Sequence, residues 1–147
     1  MSLRASAICH VVIHVKDLDR SERFYREVLG FEGRAASVAE DGQRRVFLRF
    51  SLAEGNGNDH DIALFEIAGD AKGNEGMDHM ALFVDAADLD EVEAELAQRG
   101  VSASERSQLD SVFISDPDGF VIELLPKSAQ VALQERVARR EAADLYV

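Results

Sequence analysis

The sequence predicts an α+β fold built from two βαβββ modules, and three observations point to it. A stretch opening at His10, HVVIHVKDLDRSERFYREVLGFE, has a counterpart opening at His79, HMALFVDAADLDEVEAELAQRGV. With the two histidines aligned, Val15 falls on Val84, Asp19 on Asp88, and Gly30 and Gly100 agree to within one residue. Each copy changes from the alternation of a strand to the three-to-four spacing of an amphipathic helix, which a glycine stops.

Taken in order, Ala7–Lys16 reads as a β-branched strand closed by an acidic turn. The helix from Asp19 to Leu29 offers Phe24, Tyr25 and Val28 as its buried stripe. Phe31–Val38 and Arg45–Leu52 are strands around an Asp41-Gly42 hairpin signal. The polar, glycine-rich loop from Glu54 follows, with Gly55–Asn58 as a lid or a plain hairpin loop. His60–Ile67 is the fourth strand, and Gly69–Gly76 links the halves. The second copy places strands at Met77–Asp85, Val101–Glu105, Ser111–Ser115 and Phe120–Leu125. Its helix runs from Ala87 to Arg99 with Leu89, Val92 and Leu96 inward. Asp116-Pro-Asp-Gly is a tight turn.

A tail from Ser128 to Tyr146 reads as an appended helix with Val131, Val137, Ala138, Leu145 and Tyr146 as a docking stripe. The organisation is thus one domain over residues 1–147. Module one spans about 7–68, module two about 77–126, and the tail 128–146. Helices cover one face of such sheets, so the other faces form an open, barrel-like cavity, with a metal site expected inside it.

Composition narrows the function. The formal net charge of −12 over 147 residues argues against nucleic-acid and anionic-membrane partners, which need a basic face. No apolar run is long enough to span a bilayer, and no leader pattern opens the chain, so the expectation is cytoplasmic. Cys9 is the only cysteine, which excludes an internal disulfide and a thiolate cluster. By parity it is expected beneath the first helix as a small apolar residue.

The four histidines, His10, His14, His60 and His79, all lie in or at the start of predicted strands. Glu123 interrupts the apolar run Phe-Val-Ile-Glu-Leu-Leu, where a carboxylate is costly unless paired or metal-bound. His10, His79 and Glu123 together would offer two imidazoles and a carboxylate, a donor set suited to Fe(II), Mn(II), Ni(II) or Zn(II). Their spacing does not by itself establish a site, since strand histidines are commonly core residues and Glu123 could pair across strands. His14 shares a face with His10, either as a substrate contact or as a satisfied core histidine.

The chain resembles the vicinal oxygen chelate superfamily, which includes glyoxalase I, fosfomycin-resistance proteins and extradiol dioxygenases. The matching residues are His10 to Asp17, Ser21, Phe24-Tyr25 and Leu29-Gly30-Phe31 in the first half. In the second half they are Asp78-His79-Met-Ala-Leu and Asp116-Pro-Asp-Gly-Phe-Val-Ile-Glu123. The resemblance implies that His10, His79 and Glu123 are metal ligands and that a small-molecule substrate chelates the metal through vicinal oxygens.

Asp59-His60-Asp61-Ile-Ala-Leu-Phe65 is similar to the dioxygenase stretch in which a non-ligand histidine assists proton transfer, which implies a catalytic His60. A late-strand histidine of those enzymes is replaced by Phe113, a substrate contact in this reading. The implied activity is dioxygenase-like cleavage of a catechol-like substrate with Fe(II) or Mn(II). The alternatives are a glyoxalase-type lyase or isomerase and a non-enzymatic drug-sequestering protein. The glyoxalase reading requires a carboxylate on the fourth strand, and Glu66 is the only glutamate there. His60, Ile62, Leu64 and Glu66 share a parity, with roughly 20 Å of extended chain between His60 and Glu66. Arg44, Arg45 and Arg49 would suit an anionic substrate but read as a solvated strand face. A homodimer is expected, with the modules paired within one chain or between two.

Overall fold

The computed structural model describes residues 3–5, 8–50, 60–69 and 71–139. Its backbone contacts divide the chain into two compact units, Met1–Gly76 and Met77–Val147. The division falls at the end of the predicted linker.

The first unit runs β1 (Val11–Val15), α1 (Leu18–Glu27), β2 (Glu32–Val38), β3 (Arg44–Arg49) and β4 (Ile62–Glu66). This is the expected βαβββ order. The sheet order is β1-β4-β3-β2, with β1 parallel to β4 and the other pairs antiparallel. Alternation sorts the side chains into two faces. Ile13, Val15, Val46, Leu48, Ile62 and Leu64 are buried on one, which α1 covers. Val12, His14, Arg45, Phe47, Arg49, Ala63 and Phe65 occupy the other, hereafter the open face.

Asp17 caps α1 by accepting from the Arg20 N–H at 3.0 Å. Because the helix begins at Leu18, the inward series is Leu18, Ser21 and Tyr25. The predicted stripe is corrected accordingly: Phe24 and Val28 lie at its margin and are only half-buried. Gly30, at φ +71°, turns the chain so that the Phe31 N–H reaches the Tyr25 carbonyl at 3.2 Å.

The second unit runs β5 (Met80–Phe83), α2 (Leu89–Gln98), β6 (Val112–Ser115), β7 (Val121–Leu125) and α3 (Lys127–Ala138). Its sheet order is β5-β7-β6, with β5 parallel to β7. Val112, Ile114, Ile122 and Leu124 are buried with Leu89, Val92 and Leu96 of α2. The predicted strand over Val101–Glu105 does not form. The Ser104 N–H donates to the Phe113 carbonyl, but the Phe113 N–H returns to the Ser104 hydroxyl, both at 2.9 Å. A side chain has taken the place of the backbone acceptor, so the ladder does not propagate. Asp116 Oδ1 closes the β6–β7 turn by accepting from the N–H groups of Asp118 and Phe120, each at 2.9 Å.

Cys9 is exposed rather than buried beneath α1, because β1 starts two residues after it. In the tail, α3 forms as expected, with Ala129 buried but Val131 exposed. Leu145, Tyr146 and the Gly55–Asn58 loop lie outside the described residues. Among the described residues, no helix is long and apolar enough to cross a membrane.

The linker is fastened to β1. Asn74 Oδ1 accepts from the His14 N–H at 2.8 Å, and its Nδ2 donates to the His14 carbonyl at 3.0 Å. The side-chain amide thus pairs with the strand edge as a neighbouring strand would. Replacing Asn74 by Ala leaves both His14 backbone groups unpaired. The expected cost is about 1–3 kcal/mol, read as a lowered denaturation midpoint. An unchanged midpoint would contradict the fastening.

Candidate active site

His10 immediately precedes β1 and His79 immediately precedes β5, so the repeat seen in sequence holds in three dimensions. The strand registers extend the equivalence. Val12 and Phe47 flank Ala63 on β4, and Ala81 and Phe113 flank Glu123 on β7. Glu123 and Ala63 therefore hold the same place in the two sheets. The second unit carries a carboxylate where the first carries a methyl group.

In the second unit the structure brings His79 and Glu123 together. His79 Nε2 lies 3.1 Å from Glu123 Oε2, and its Nδ1 lies 2.6 Å from Asp78 Oδ2. Glu123 is 8% exposed, and its Oε1 accepts from the Ser111 hydroxyl at 2.6 Å. Ser111 in turn shares a 2.6 Å hydrogen bond with Ser107. Phe113 packs edge-on against the His79 ring at 5.5 Å between centroids. Sequence reasoning missed Ser107, Ser111 and Asp78 as supports, although Asp78 adjoins His79 in the chain.

When His79 gives its Nδ1–H to Asp78, Nε2 and Oε2 face one another as two lone-pair acceptors. A proton on Nε2 or a cation between them relieves that repulsion. The hydrogen bond to Asp78, with a smaller contribution from the Glu123 charge, raises the His79 pKa above its ordinary value. A carboxylate on the remote imidazole nitrogen is also the usual support of a metal-ligating histidine. The donor chemistry fits a divalent ion. Among the described residues, no group of three His, Cys, Asp or Glu side chains stands together as a complete metal site.

In the first unit, His10 and His60 are neighbours, with ring centroids 4.5 Å apart. The predicted parity of His60 is corrected. Asp61 forms a bend before β4, so His60 leaves the alternation and packs on Phe47 of the open face at 4.9 Å. Asp61 holds the bend through its Oδ2, which accepts from the Phe50 N–H at 2.8 Å. His60 Nε2 is buried and has no hydrogen-bond partner among the described residues.

Glu66 faces the other way. Its Oε2 accepts from the Leu18 N–H at 2.9 Å, at the start of α1, and lies 3.5 Å from Arg44. On β4 the open-face positions are Ala63 and Phe65, so this strand offers no carboxylate there. His14 is tied at Nδ1 to the Gly73 carbonyl at 3.2 Å. That contact fits the reading of His14 as a satisfied histidine better than a substrate contact.

The sheet order and the repeated strand–helix unit define a class of two-module α+β folds. The family model described as Glyoxalase/Bleomycin resistance protein/Dioxygenase superfamily matches residues 7–124. The chain belongs to that superfamily. It is 30% identical to the virulence protein STM3117 of Salmonella typhimurium over 125 residues, which is 80% of this chain and 81% of that protein.

Among solved structures it is similar to the trypanothione-dependent glyoxalase I of Leishmania major. The TM-score is 0.72 at 26% identity, covering 95% of this chain and 99% of the other. FosX, the fosfomycin-resistance protein of Listeria monocytogenes, complexed with Mn(II) and a dihydroxypropylphosphonic acid, shares the fold. Its TM-score is 0.63 at 20% identity, over 82% of this chain and 92% of that one. The antibiotic-binding protein TnmS3 from a Streptomyces species does so at TM-score 0.64 and 23% identity, over 85% and 98%.

Two outcomes follow. Glu66→Ala removes a hydrogen bond at a helix start and is expected to cost about 1–2 kcal/mol of stability while leaving metal binding unchanged. Loss of metal binding would return Glu66 to the site. In metal-free protein followed by NMR, Asp78→Asn is expected to lower the His79 titration midpoint more than Glu123→Gln does. An unshifted midpoint in Asp78→Asn would contradict the assigned hydrogen bond.

Proposed function

We propose that the protein is a metal-dependent enzyme that acts on a small substrate bearing two neighbouring oxygens. His10, His79 and Glu123 are the metal donors in this reading, and His60 is the acid–base residue. The observation that carries it is the His79–Glu123 pair, an imidazole nitrogen 3.1 Å from a carboxylate oxygen on a buried strand, with a second carboxylate behind the imidazole. His10 joins them by its equivalent place in the repeat.

A bound divalent ion would supply Lewis-acid polarisation of the substrate oxygens. The chain's own residues do the rest. Asp78 fixes the orientation of His79, and Ser111 holds one oxygen of Glu123 while the other stays available. His60 is wedged between His10 and Phe47, so its Nε2 can give or take a proton without leaving its position. Phe47 and Phe113 pack against His60 and His79 and shed water from them.

The reaction we favour is dioxygenase-like cleavage of a catechol-type substrate with Fe(II) or Mn(II), on the strength of His60. A glyoxalase-type lyase is the second reading, favoured by the likeness to the Leishmania enzyme over 95% of the chain. The lack of a carboxylate on the open face of β4 counts against it. Ni(II) or Zn(II) would accompany that second reading.

Elemental analysis of protein purified without chelator is expected to find near-stoichiometric metal, lost in His79→Ala. His60→Ala is expected to keep the metal and to lower oxygen consumption with catechol substrates by about 10²-fold or more. Wild-type protein that takes up none of the four ions would overturn the reading and leave a small-molecule binding protein.

A further inference from the structure

The open face of the first unit carries an arginine that the proposed chemistry does not use. Arg45 sits over the Phe65 ring, with Cζ 4.2 Å from the centroid, and its Nε donates to Gln43 Oε1 at 3.0 Å. The residue is half-buried. Its terminal nitrogens have no carboxylate partner among the described residues.

Acidic residues outnumber basic ones by 28 to 16 in this chain, and five of its arginines are neutralised by carboxylates. Arg26 and Arg34 pair with Glu22, Arg44 with Asp19 and Glu66, Arg99 with Glu95, and Arg106 with Asp90 and Glu93. Arg44, the next residue, faces α1 and is neutralised, whereas Arg45 faces the opposite way. The expectation of a solvated strand face therefore holds for Arg44 but not for Arg45.

Arg45 is also connected to the histidines by a continuous chain of ring contacts. The His10 and His60 rings are tilted against each other at 4.5 Å between centroids, His60 meets Phe47 edge-on at 4.9 Å, and Phe47 meets Phe65 edge-on at 6.1 Å, with Arg45 over Phe65. A guanidinium stacked on an aromatic ring keeps its N–H edge free for bidentate contact with a planar oxyanion. The ring contact and the Gln43 bond hold the guanidinium in place before any ligand arrives.

We propose that Arg45 is the anion-recognition residue of the site. The substrate is then a small planar acid whose carboxylate docks on Arg45 while its body lies along Phe65 and Phe47 toward the histidines. This deepens the proposed function and rests on it for the vicinal oxygens, but the recognition of charge is independent of any metal.

The test compares 3,4-dihydroxybenzoate with its neutral amide, 3,4-dihydroxybenzamide, by calorimetric titration of the full chain. Each probe is titrated into chelator-treated protein and into protein supplied with Mn(II). Wild type is expected to bind the acid at least about tenfold more tightly than the amide, as a charge-assisted contact implies. Arg45→Met keeps apolar contact with Phe65 and is expected to abolish that preference, with amide affinity changed by less than about twofold.

Arg49→Met, on the same strand face, is expected to retain the preference. Equal affinity for acid and amide in wild type, a preference surviving in Arg45→Met, its loss in Arg49→Met alone, or no binding of either probe would each overturn the proposal. The metal reading is judged separately, by whether Mn(II) tightens both probes. A preference for the acid without that tightening supports Arg45 and counts against the metal. Tightening without a preference does the reverse.

Discussion

The buried carboxylate of Glu123 is the constraint on which the second unit is arranged. Placing an ionised group in the middle of an apolar strand costs several kcal/mol unless every lone pair finds a partner. Ser111 gives one hydroxyl proton to Oε1, and Ser107 holds Ser111 in place. His79 approaches Oε2, and Asp78 stands behind the imidazole. The environment would be simpler with an apolar residue at this position, as the first unit demonstrates with Ala63. The retained charge and its layered supports are the physical reason to read the pair as a binding site rather than a packing feature.

The same comparison explains the asymmetry of the two copies. Repeat positions before β1 and before β5 both carry histidine, and the aromatic positions on β3 and β6 both carry phenylalanine. The flanking Val12 and Ala81 are both apolar, and the change of chemistry falls on the central position. In the first unit the central position is the buried methyl group of Ala63. His60 reaches the open face from the bend at Asp61 and packs on Phe47 and His10. Two related frames thus present different chemistry, one acidic and buried, the other aromatic and basic.

Much of this was legible in the sequence because it rests on periodicity. The repeat, the strand–helix–strand order and the helix-stopping glycines are local patterns, and the structure reproduces them with strands trimmed by a few residues. Glu123 stood out because a charge inside an apolar run has few explanations. The features that were not legible depend on contacts distant in sequence or on side chains replacing backbone. Ser104 takes the place of a strand rung, Asn74 covers the edge of β1 from sixty residues away, and Asp61 rotates His60 off its predicted face. Glu66 was the one glutamate that the glyoxalase alternative could draw on, and the parity of β4 and the start of α1 assign it to the helix.

The most direct test of the central claim is a crystal structure of the protein grown with Mn(II), with anomalous data collected to locate the ion. The account predicts a peak about 2.0–2.3 Å from both His79 Nε2 and a Glu123 oxygen, with Ser111 still donating to the other oxygen. A structure in which His79 and Glu123 remain hydrogen-bonded to each other, with no peak between them at saturating Mn(II), would contradict it.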